Sequence, residues 1–278
     1  MTRRMKIVVG LVLFAVMYAA GIVAFEREQM ARTLVLNVGD AKQADRVDFE
    51  AHVLSMDANK GETTVRLDFK PAGNLVGADK VTLTKDLKVY ANSATGGQER
   101  TFPKGKPMNA FDVVLDLDGS LSDFPIDKYV GALEVSVKTG ADEAIPVMGT
   151  FTGALHGLSL DVHEEARHGV GFAAFEFGFT RSPATLAVAG FIIIMTWAMT
   201  IAVGGVALSV MAGNRKLEFG QLGWTGGLLF ALIAFRGATP GAPPIGALSD
   251  YLSFFWAELI VAASLAALVW AYLTRPAA

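Results

Sequence analysis

One acidic residue interrupts the last long apolar run of the chain. Glu258 lies about two helical turns into the run 252–273, among aliphatic and aromatic residues. A charged side chain inside a membrane span is costly and normally faces protein, water or a partner charge. Three other charged residues are predicted to lie near the same membrane interface. Arg181 precedes the apolar run 184–212, Arg236 follows the run 222–235, and Asp250 precedes the run 252–273. We expect Glu258 and Arg236 to form a structural clasp, with Arg181 as the other candidate partner; a proton-binding or transport role and a contact with another subunit are the alternatives.

A second group of residues could bind a metal. Carboxylates and imidazoles hold divalent ions, and five of them fall within eight residues: Asp161, His163, Glu164, Glu165 and His168. Their spacing matches no defined metal motif, so we expect a solvated polar loop and assign no metal and no cofactor. A metal-dependent envelope enzyme that uses this cluster is the alternative.

Other catalytic signatures are missing from the sequence. There is no nucleophile elbow, no zinc-protease helix, no phosphate-binding loop and no dinucleotide-binding glycine pattern. The chain contains no cysteine, which excludes disulfides, a thiolate nucleophile and cysteine metal sites. We therefore predict that the protein is not an enzyme.

Four long apolar runs would have to position these residues: 7–25, 184–212, 222–235 and 252–273. A membrane-crossing helix needs about 20 mainly apolar residues, so the first, second and fourth runs are long enough. The third run is long enough only if residues 217–220 extend it. We predict a bundle of four transmembrane helices. The first run could instead be a cleaved signal peptide, but its 19 residues exceed the usual apolar core of about 7 to 15, which favours a retained anchor.

Basic residues next to the runs predict the orientation, because short loops rich in Lys and Arg stay in the cytoplasm. They lie before the first run, between the second and third runs, and after the fourth: Arg3, Arg4, Lys6, Arg215, Lys216 and Arg275. We predict a multi-pass plasma-membrane protein with both termini in the cytoplasm and residues 26–181 outside it.

Composition restricts the partners of the predicted outer segment. The chain has 278 residues, of which 52% are hydrophobic, and residues 26–181 carry 24 acidic against 17 basic residues, a net charge of about −7. Nucleic acid is excluded as a partner because its phosphate backbone requires a basic surface. The predicted partners are the lipid bilayer and another envelope membrane protein or complex.

Alternating apolar and polar residues indicate that the outer segment is built from strands. A hairpin is predicted from residues 46–56 and 65–69 around a turn at residues 59–61. Further alternating runs occupy residues 80–83, 87–91, 111–117, 133–137, 158–162 and 175–179. We predict an all-β, immunoglobulin-like antiparallel sandwich. Phe175, Phe177 and Phe179 are expected in its core, with a surface resting on the membrane or on a partner as the alternative.

The domain boundaries follow from these patterns. Residues 1–25 form an N-terminal transmembrane helix, residues 26–181 the sandwich, and residues 182–278 a three-helix transmembrane region. An outer cap at residues 236–250 is rich in Pro and Gly, which restrict the backbone and allow close approach, so we expect an ordered loop. Aromatic residues beside it, including Trp256, fit an interfacial belt.

The cap also carries a resemblance. An Arg, then P-G-x-P-P-x-G, an Asp and F-x-W-x-E are found here as Arg236, Pro240, Gly241, Pro243, Pro244, Gly246, Asp250, Phe254, Trp256 and Glu258. This pattern resembles a family of actinobacterial membrane proteins of unknown function, over nearly the whole chain. Gly237 departs from it, where an asparagine is expected. The resemblance implies one span, an outer β domain and three further spans, and implies no activity.

These observations lead to one functional hypothesis and two alternatives. We expect a non-enzymatic accessory or interaction subunit of the cell envelope that presents a β-sandwich outside the cytoplasm. A transporter or channel component using Glu258 with Arg236 is the first alternative, and the metal-dependent envelope enzyme is the second.

Overall fold

The computed structural model describes residues 5, 8, 12, 15–16, 18–23, 25–26, 34–39, 42–153, 155–163, 168–169, 171–241 and 243–274. For residues 34–39, 163, 168 and 169 the description covers the backbone. The chain divides into two compact units. The first comprises Met1–Ser120 with Asp127–Ser182, and the second comprises Leu121–Ile126 with Pro183–Ala278.

The first unit contains twelve strands among its described residues. They are β1 (Leu34–Gly39), β2 (Val47–Asp57), β3 (Glu62–Pro71), β4 (Leu87–Ala91), β5 (Gln98–Phe102), β6 (Phe111–Asp116), β7 (Asp118–Gly119), β8 (Lys128–Thr139), β9 (Val147–Gly153), β10 (Leu158–His163), β11 (His168–Gly169) and β12 (Phe172–Arg181). One sheet has the order β1-β9-β2-β3-β6, and the other has the order β10-β12-β8-β4-β5, with β7 on β8 and β11 on β12.

The predicted hairpin is confirmed, because β2 and β3 pair from Val47 opposite Pro71 to Asp57 opposite Glu62. The prediction of a purely antiparallel sandwich is wrong. Strand β9 lies parallel to β2, with Val47 opposite Val147. The strand predicted at residues 80–83 is also wrong: Lys80 has a positive φ of 56°, and only an isolated bridge joins Val76 to Leu83.

The two sheets share one apolar core. Phe49 and Phe151 contribute from one sheet and Phe175 and Phe177 from the other, each at most 1% exposed. Phe151 stacks on Phe177 with ring centroids 4.9 Å apart. The core role predicted for Phe175, Phe177 and Phe179 is confirmed, and the β-sandwich follows from burial of the alternating positions of both sheets.

The second unit consists of three described helices and the short segment Leu121–Ile126. The helices are α1 (Pro183–Met211), α2 (Phe219–Gly237) and α3 (Phe255–Thr274), and a π-helical turn at Asp250–Phe254 leads directly into α3. Helix α1 begins at the proline, where the fixed φ of its ring suits a first helical turn. Helix α2 begins with a capping box, in which the Glu218 and Gln221 side chains each accept from the backbone of the other.

Two stretches are long and apolar enough to cross a membrane: Pro183–Met211 with 29 residues and Asp250–Thr274 with 25 residues. Helix α2 has 19 residues but is less apolar, since it contains Gln221, Arg236 and several glycines. The described residues of the first predicted span are helical and exposed, but most of residues 7–14 lie outside the described residues. Two helices that could span a membrane are therefore established, and the four predicted spans are not.

Candidate functional site

A buried ion pair organises the loop between α2 and α3. Nε of Arg236 donates to Oδ1 of Asp250 at 3.1 Å, and Nη2 donates to Oδ2 at 3.0 Å. The Asp250 side chain is 2% exposed and that of Arg236 is 18% exposed. Arg236 comes from the last turn of α2 and Asp250 from the π-helical turn, so the pair closes the connection between the two helices. Such two-pronged arginine–carboxylate contacts are among the stronger polar interactions in proteins.

The same two side chains also hold the backbone of the loop. Nη2 of Arg236 donates to the carbonyl of Pro243 at 2.8 Å, and the backbone N–H of Gly246 donates to Oδ2 of Asp250 at 2.8 Å. Gly246 has a φ of +94°, a conformation in which glycine is favoured. The Arg236–Asp250 pair therefore connects both helices to the backbone of the loop that was predicted to be an ordered cap.

The π-helical turn is fixed by two further hydrogen bonds. Trp197 Nε1 donates to the carbonyl of Leu252 at 3.1 Å, and Ser253 Oγ donates to the carbonyl of Ser249 at 3.0 Å. A cavity of about 20 Å³ lies beside the turn, with room for about one water molecule. Its lining includes Thr196 and Arg236 as well as Ser253. This space is too small for an organic substrate.

Glu258 does not take part in this network. Arg236 pairs with Asp250, so the predicted Glu258–Arg236 clasp is wrong within the part of the chain that the structure describes. Glu258 lies in the first turn of α3 and is half-buried. Its Oε1 atom is enclosed by the chain and has no hydrogen-bond partner among the described residues. An enclosed polar atom without a partner costs about 1–3 kcal/mol.

Arg181 pairs with a carboxylate of its own unit, the sandwich, and its grouping with Arg236 and Glu258 stays a prediction. Arg181 Nη2 donates to Asp127 Oδ2 at 2.7 Å, and Nε donates to Oδ1 at 2.9 Å. The Asp127 side chain is fully buried and also accepts from the Tyr129 hydroxyl at 2.9 Å. Burial, reinforced by the bond to Asp127, raises the pKa of that hydroxyl well above its ordinary value. Strands β8 and β12, which carry Tyr129 and Arg181, pair side by side.

The remaining predicted residues lie around the loop without direct roles in the ion pair. Pro243 is buried, Pro240 is half-buried, and Gly241 and Pro244 are exposed. Gly241 has a φ of +79°. Trp256 is 54% exposed at the start of α3, which is compatible with an interfacial position.

The proposed metal cluster falls mostly outside the described residues. Asp161 is exposed in β10, whereas Glu164, Glu165 and the side chains of His163 and His168 are not described. Within the described ranges, no group of three or more carboxylate or imidazole side chains is placed to hold a metal ion.

Sequence reasoning missed Asp127 and Phe124 as key contacts. From the sequence, residues 123–129 indicate only a turn between two strands, in which Pro125 restricts the backbone. In the structure, Phe124 is fully buried in the helical unit against Ala189 and Ala247, and its carbonyl accepts from the N–H of Ser249 at 3.1 Å. A phenylalanine followed by proline within this turn is the sequence signal that could have indicated the burial.

Comparisons with known families match both parts of the chain. Residues 37–179, just over half of the chain, match the family model described as Domain of unknown function (DUF4436). Residues 181–275 match the family model described as Domain of unknown function (DUF8686). No curated protein matches the chain in sequence.

Proposed function

We propose that this chain, which belongs to the DUF4436 family, is a multi-pass membrane protein that acts as a non-enzymatic accessory or interaction subunit of the cell envelope. In this proposal the β-sandwich lies outside the cytoplasm and both termini lie inside. Four spans are proposed, formed by residues 7–25 and by the three helices α1, α2 and α3.

The observation that carries the membrane location is the outward position of large apolar side chains. Leu208 of α1 is 72% exposed, Phe230 of α2 is 78% exposed and Leu273 of α3 is 74% exposed. A water-soluble helix places such residues toward its core and polar residues outside. The arrangement here suits a hydrocarbon surrounding, in which exposed leucine and phenylalanine are favourable.

The inward faces of the helices are lined mainly by small residues. On α1 the buried residues are Thr185, Ala189, Thr196, Thr200, Val203, Ala207 and Val210. On α3 they are Ala257, Val261, Ser264, Leu268 and Ala271. Small side chains let helix backbones approach closely, which is how helices associate inside a bilayer, where burial of apolar surface supplies no driving force.

Two buried arginine–aspartate pairs support an accessory role rather than a catalytic one, because their side chains are engaged in holding the fold. Arg236 with Asp250, and Arg181 with Asp127, are engaged in buried two-pronged pairs that hold loops and strands in place. These contacts stabilise a framework on which a surface is presented. The folded sandwich would supply that surface, and its net negative charge disfavours contact with anionic headgroups.

Cysteine labelling tests the membrane location and orientation, because the chain has no cysteine of its own. Single cysteines replace Asn59 in the sandwich, Thr239 in the loop after α2, and Asn214 between α1 and α2. In intact cells an impermeant maleimide should label the first two positions, while Asn214→Cys should react only after lysis. Labelling of Asn214→Cys alone would reverse the orientation. Extraction of the protein by alkaline carbonate would refute the membrane location itself.

A further inference from the structure

The turn between α1 and α2 carries two basic side chains that no described residue neutralises. Arg215 and Lys216 are both exposed, and neither side chain forms an ion pair or a hydrogen bond with a described residue. The other cation in the described part of the helical unit, Arg236, is neutralised by Asp250. Glu218 is the acidic residue nearest to the turn, and its side chain caps the backbone at the start of α2. The turn therefore presents two cations that are available to an outside partner.

Backbone hydrogen bonds hold the start of this turn in place. The N–H groups of Asn214 and Arg215 both donate to the carbonyl of Ser209, at 3.0 Å and 3.3 Å. Gly213 has a φ of +77°, a conformation in which glycine is favoured and through which the chain leaves the helix. Because this backbone is already ordered, a ligand that binds the two cations loses little free energy to ordering of the loop.

Aromatic side chains surround the same end of the helical unit. The last turns of α1 pack against the last turns of α3 and against Leu217 and Leu222, so the turn lies beside the end of α3. Three exposed aromatic residues are found here: Phe219, Trp270 and Tyr272. Tryptophan and tyrosine are enriched where a membrane meets water, at the level of the lipid headgroups. In the proposed membrane location, the turn therefore lies at the depth of the lipid phosphates.

From this arrangement we propose that Arg215 and Lys216 bind the phosphate groups of anionic phospholipids in the leaflet that faces the cytoplasm. The inference rests on the proposed membrane location and orientation. It deepens that proposal by naming the class of lipid that the helical unit recruits and the two residues that recognise it.

Charge and location select this ligand over the alternatives. Guanidinium and ammonium groups pair strongly with phosphate, and a zwitterionic headgroup offsets its phosphate with a cation of its own, so it attracts the turn less. The segments 1–7 and 275–278, which the proposed topology places on the same side, contain four basic and no acidic side chains. They strengthen the attraction to an anionic surface. Lipid phosphates are also present beside the turn at a much higher effective concentration than any soluble acidic protein.

Quenching of tryptophan fluorescence by brominated lipids tests the proposal. The full-length protein is reconstituted into phosphatidylcholine vesicles that contain brominated phosphatidylglycerol, and separately into vesicles that contain brominated phosphatidylcholine. Trp224 near the start of α2 and Trp270 near the end of α3 lie toward the end that carries the turn, so they report lipid bound there. Phosphatidylglycerol should bind about tenfold more tightly, because each Lys or Arg near a membrane surface contributes about fivefold. High salt should reduce this preference.

Charge-removing variants make the test specific to the turn. Arg215→Gln combined with Lys216→Gln should lower the relative binding constant for phosphatidylglycerol about tenfold. Arg215→Lys keeps the charge and should retain most of the preference. Lys104→Gln combined with Lys106→Gln removes two exposed charges from the sandwich and should leave the preference unchanged. Melting temperatures in detergent should be the same for all variants, which establishes that each of them is folded.

Equal quenching by the two brominated lipids would overturn the proposal. A preference that survives in the double variant of the turn would also overturn it, and so would one that is lost equally in the sandwich variant. Cysteine labelling and carbonate extraction are read separately. If those fail, the membrane location and orientation fail; if they succeed and the lipid preference is absent, only the lipid site is wrong.

Discussion

Arg236 and Asp250 lie 14 residues apart in the sequence and meet through two parallel hydrogen bonds, at 3.1 Å and 3.0 Å. The carboxylate also accepts from Gly246, and the guanidinium also donates to Pro243. Both charges are largely removed from solvent. One ion pair therefore joins the end of α2, the intervening loop and the π-helical turn that precedes α3, and the stability of this connection depends on both partners.

A double-mutant cycle on this pair should show strong coupling. Breaking one partner of a buried pair costs about 3–5 kcal/mol, so Arg236→Gln and Asp250→Asn should each lower the melting temperature in detergent. The double variant should lose less than the sum of the single variants, because each single change leaves the other charge uncompensated. The matched cycle of Arg236→Gln with Glu258→Gln should be additive. Additivity in the first cycle would show that the contact contributes no pairwise energy.

The Arg181–Asp127 pair should matter more than a surface pair of similar geometry. Arg181→Gln leaves the fully buried Asp127 without its cation, a loss of about 3–5 kcal/mol. Arg66 also contacts a carboxylate, Asp112, at 2.8 Å, but both side chains are exposed, so Arg66→Gln should change stability little. Hydrogen exchange of β8 and β12, measured by mass spectrometry, should accelerate only in Arg181→Gln. Equal effects of the two variants would contradict the importance given to burial.

Tyr129 should make the sandwich sensitive to alkaline pH. Its folded-state pKa is raised by burial and by the bond to Asp127, above the ordinary value of about 10. Below pH of about 10 the hydroxyl is protonated in both states, and above it the unfolded chain releases the proton first. Stability should therefore fall by up to about 1.4 kcal/mol per pH unit above that point. Denaturant titrations between neutral and alkaline pH should show a shallower fall for Tyr129→Phe; an identical fall would mean that another group is responsible.

Gly149 of β9 should tolerate no side chain. A methyl group there would lie 2.5 Å from Cζ of Phe49 and 2.6 Å from Cζ of Phe175, in the middle of the aromatic core. Overpacking of this kind costs about 1–3 kcal/mol, so Gly149→Ala should lower the denaturation midpoint of the sandwich. Gly178→Ala on β12 is the control, since its nearest neighbour is one carbonyl oxygen of Tyr129 at 3.3 Å. Equal midpoints for both variants would show that the core adapts freely.

The local parts of the fold could be predicted and the non-local parts could not. Alternation along β2 and β3 and the turn between them were sufficient to predict their hairpin, since both partners lie in one short segment. The parallel pairing of Val47 with Val147 joins residues a hundred positions apart, and alternation alone carries no information on which distant strand is the neighbour.

The candidate site around Arg236 was likewise predictable only in part. The sequence placed Arg236, Asp250 and Glu258 close together, but it could not decide which carboxylate takes the arginine. Asp250 pairs with Arg236 because it begins the π-helical turn, from which it also accepts a hydrogen bond from the N–H of Gly246, four residues earlier. Glu258 is two turns further along the helix, a distance of roughly 12 Å at 1.5 Å per residue.

A substitution of Phe124 tests the packing of the helical unit, because this side chain comes from a turn 59 residues before α1 and is still part of that unit. It is fully buried against Ala189 and Ala247, and replacing a buried phenylalanine with alanine costs about 3–5 kcal/mol. All four tryptophans, at positions 197, 224, 256 and 270, lie in the helical unit, so their fluorescence reports its unfolding selectively. Phe124→Ala should shift this transition to lower temperature in detergent.

Its neighbour Ile126 provides the matched control, since it belongs to the same segment but is 65% exposed. Ile126→Ala removes apolar atoms without leaving a cavity, so the tryptophan transition should stay in place. The hydrogen exchange of β2 and β3, whose core contacts do not include Phe124, should be unchanged in both variants. If Phe124→Ala left the tryptophan transition unchanged, the burial of this side chain against Ala189 and Ala247 would contribute nothing to the helical unit, and the segment would be only a turn.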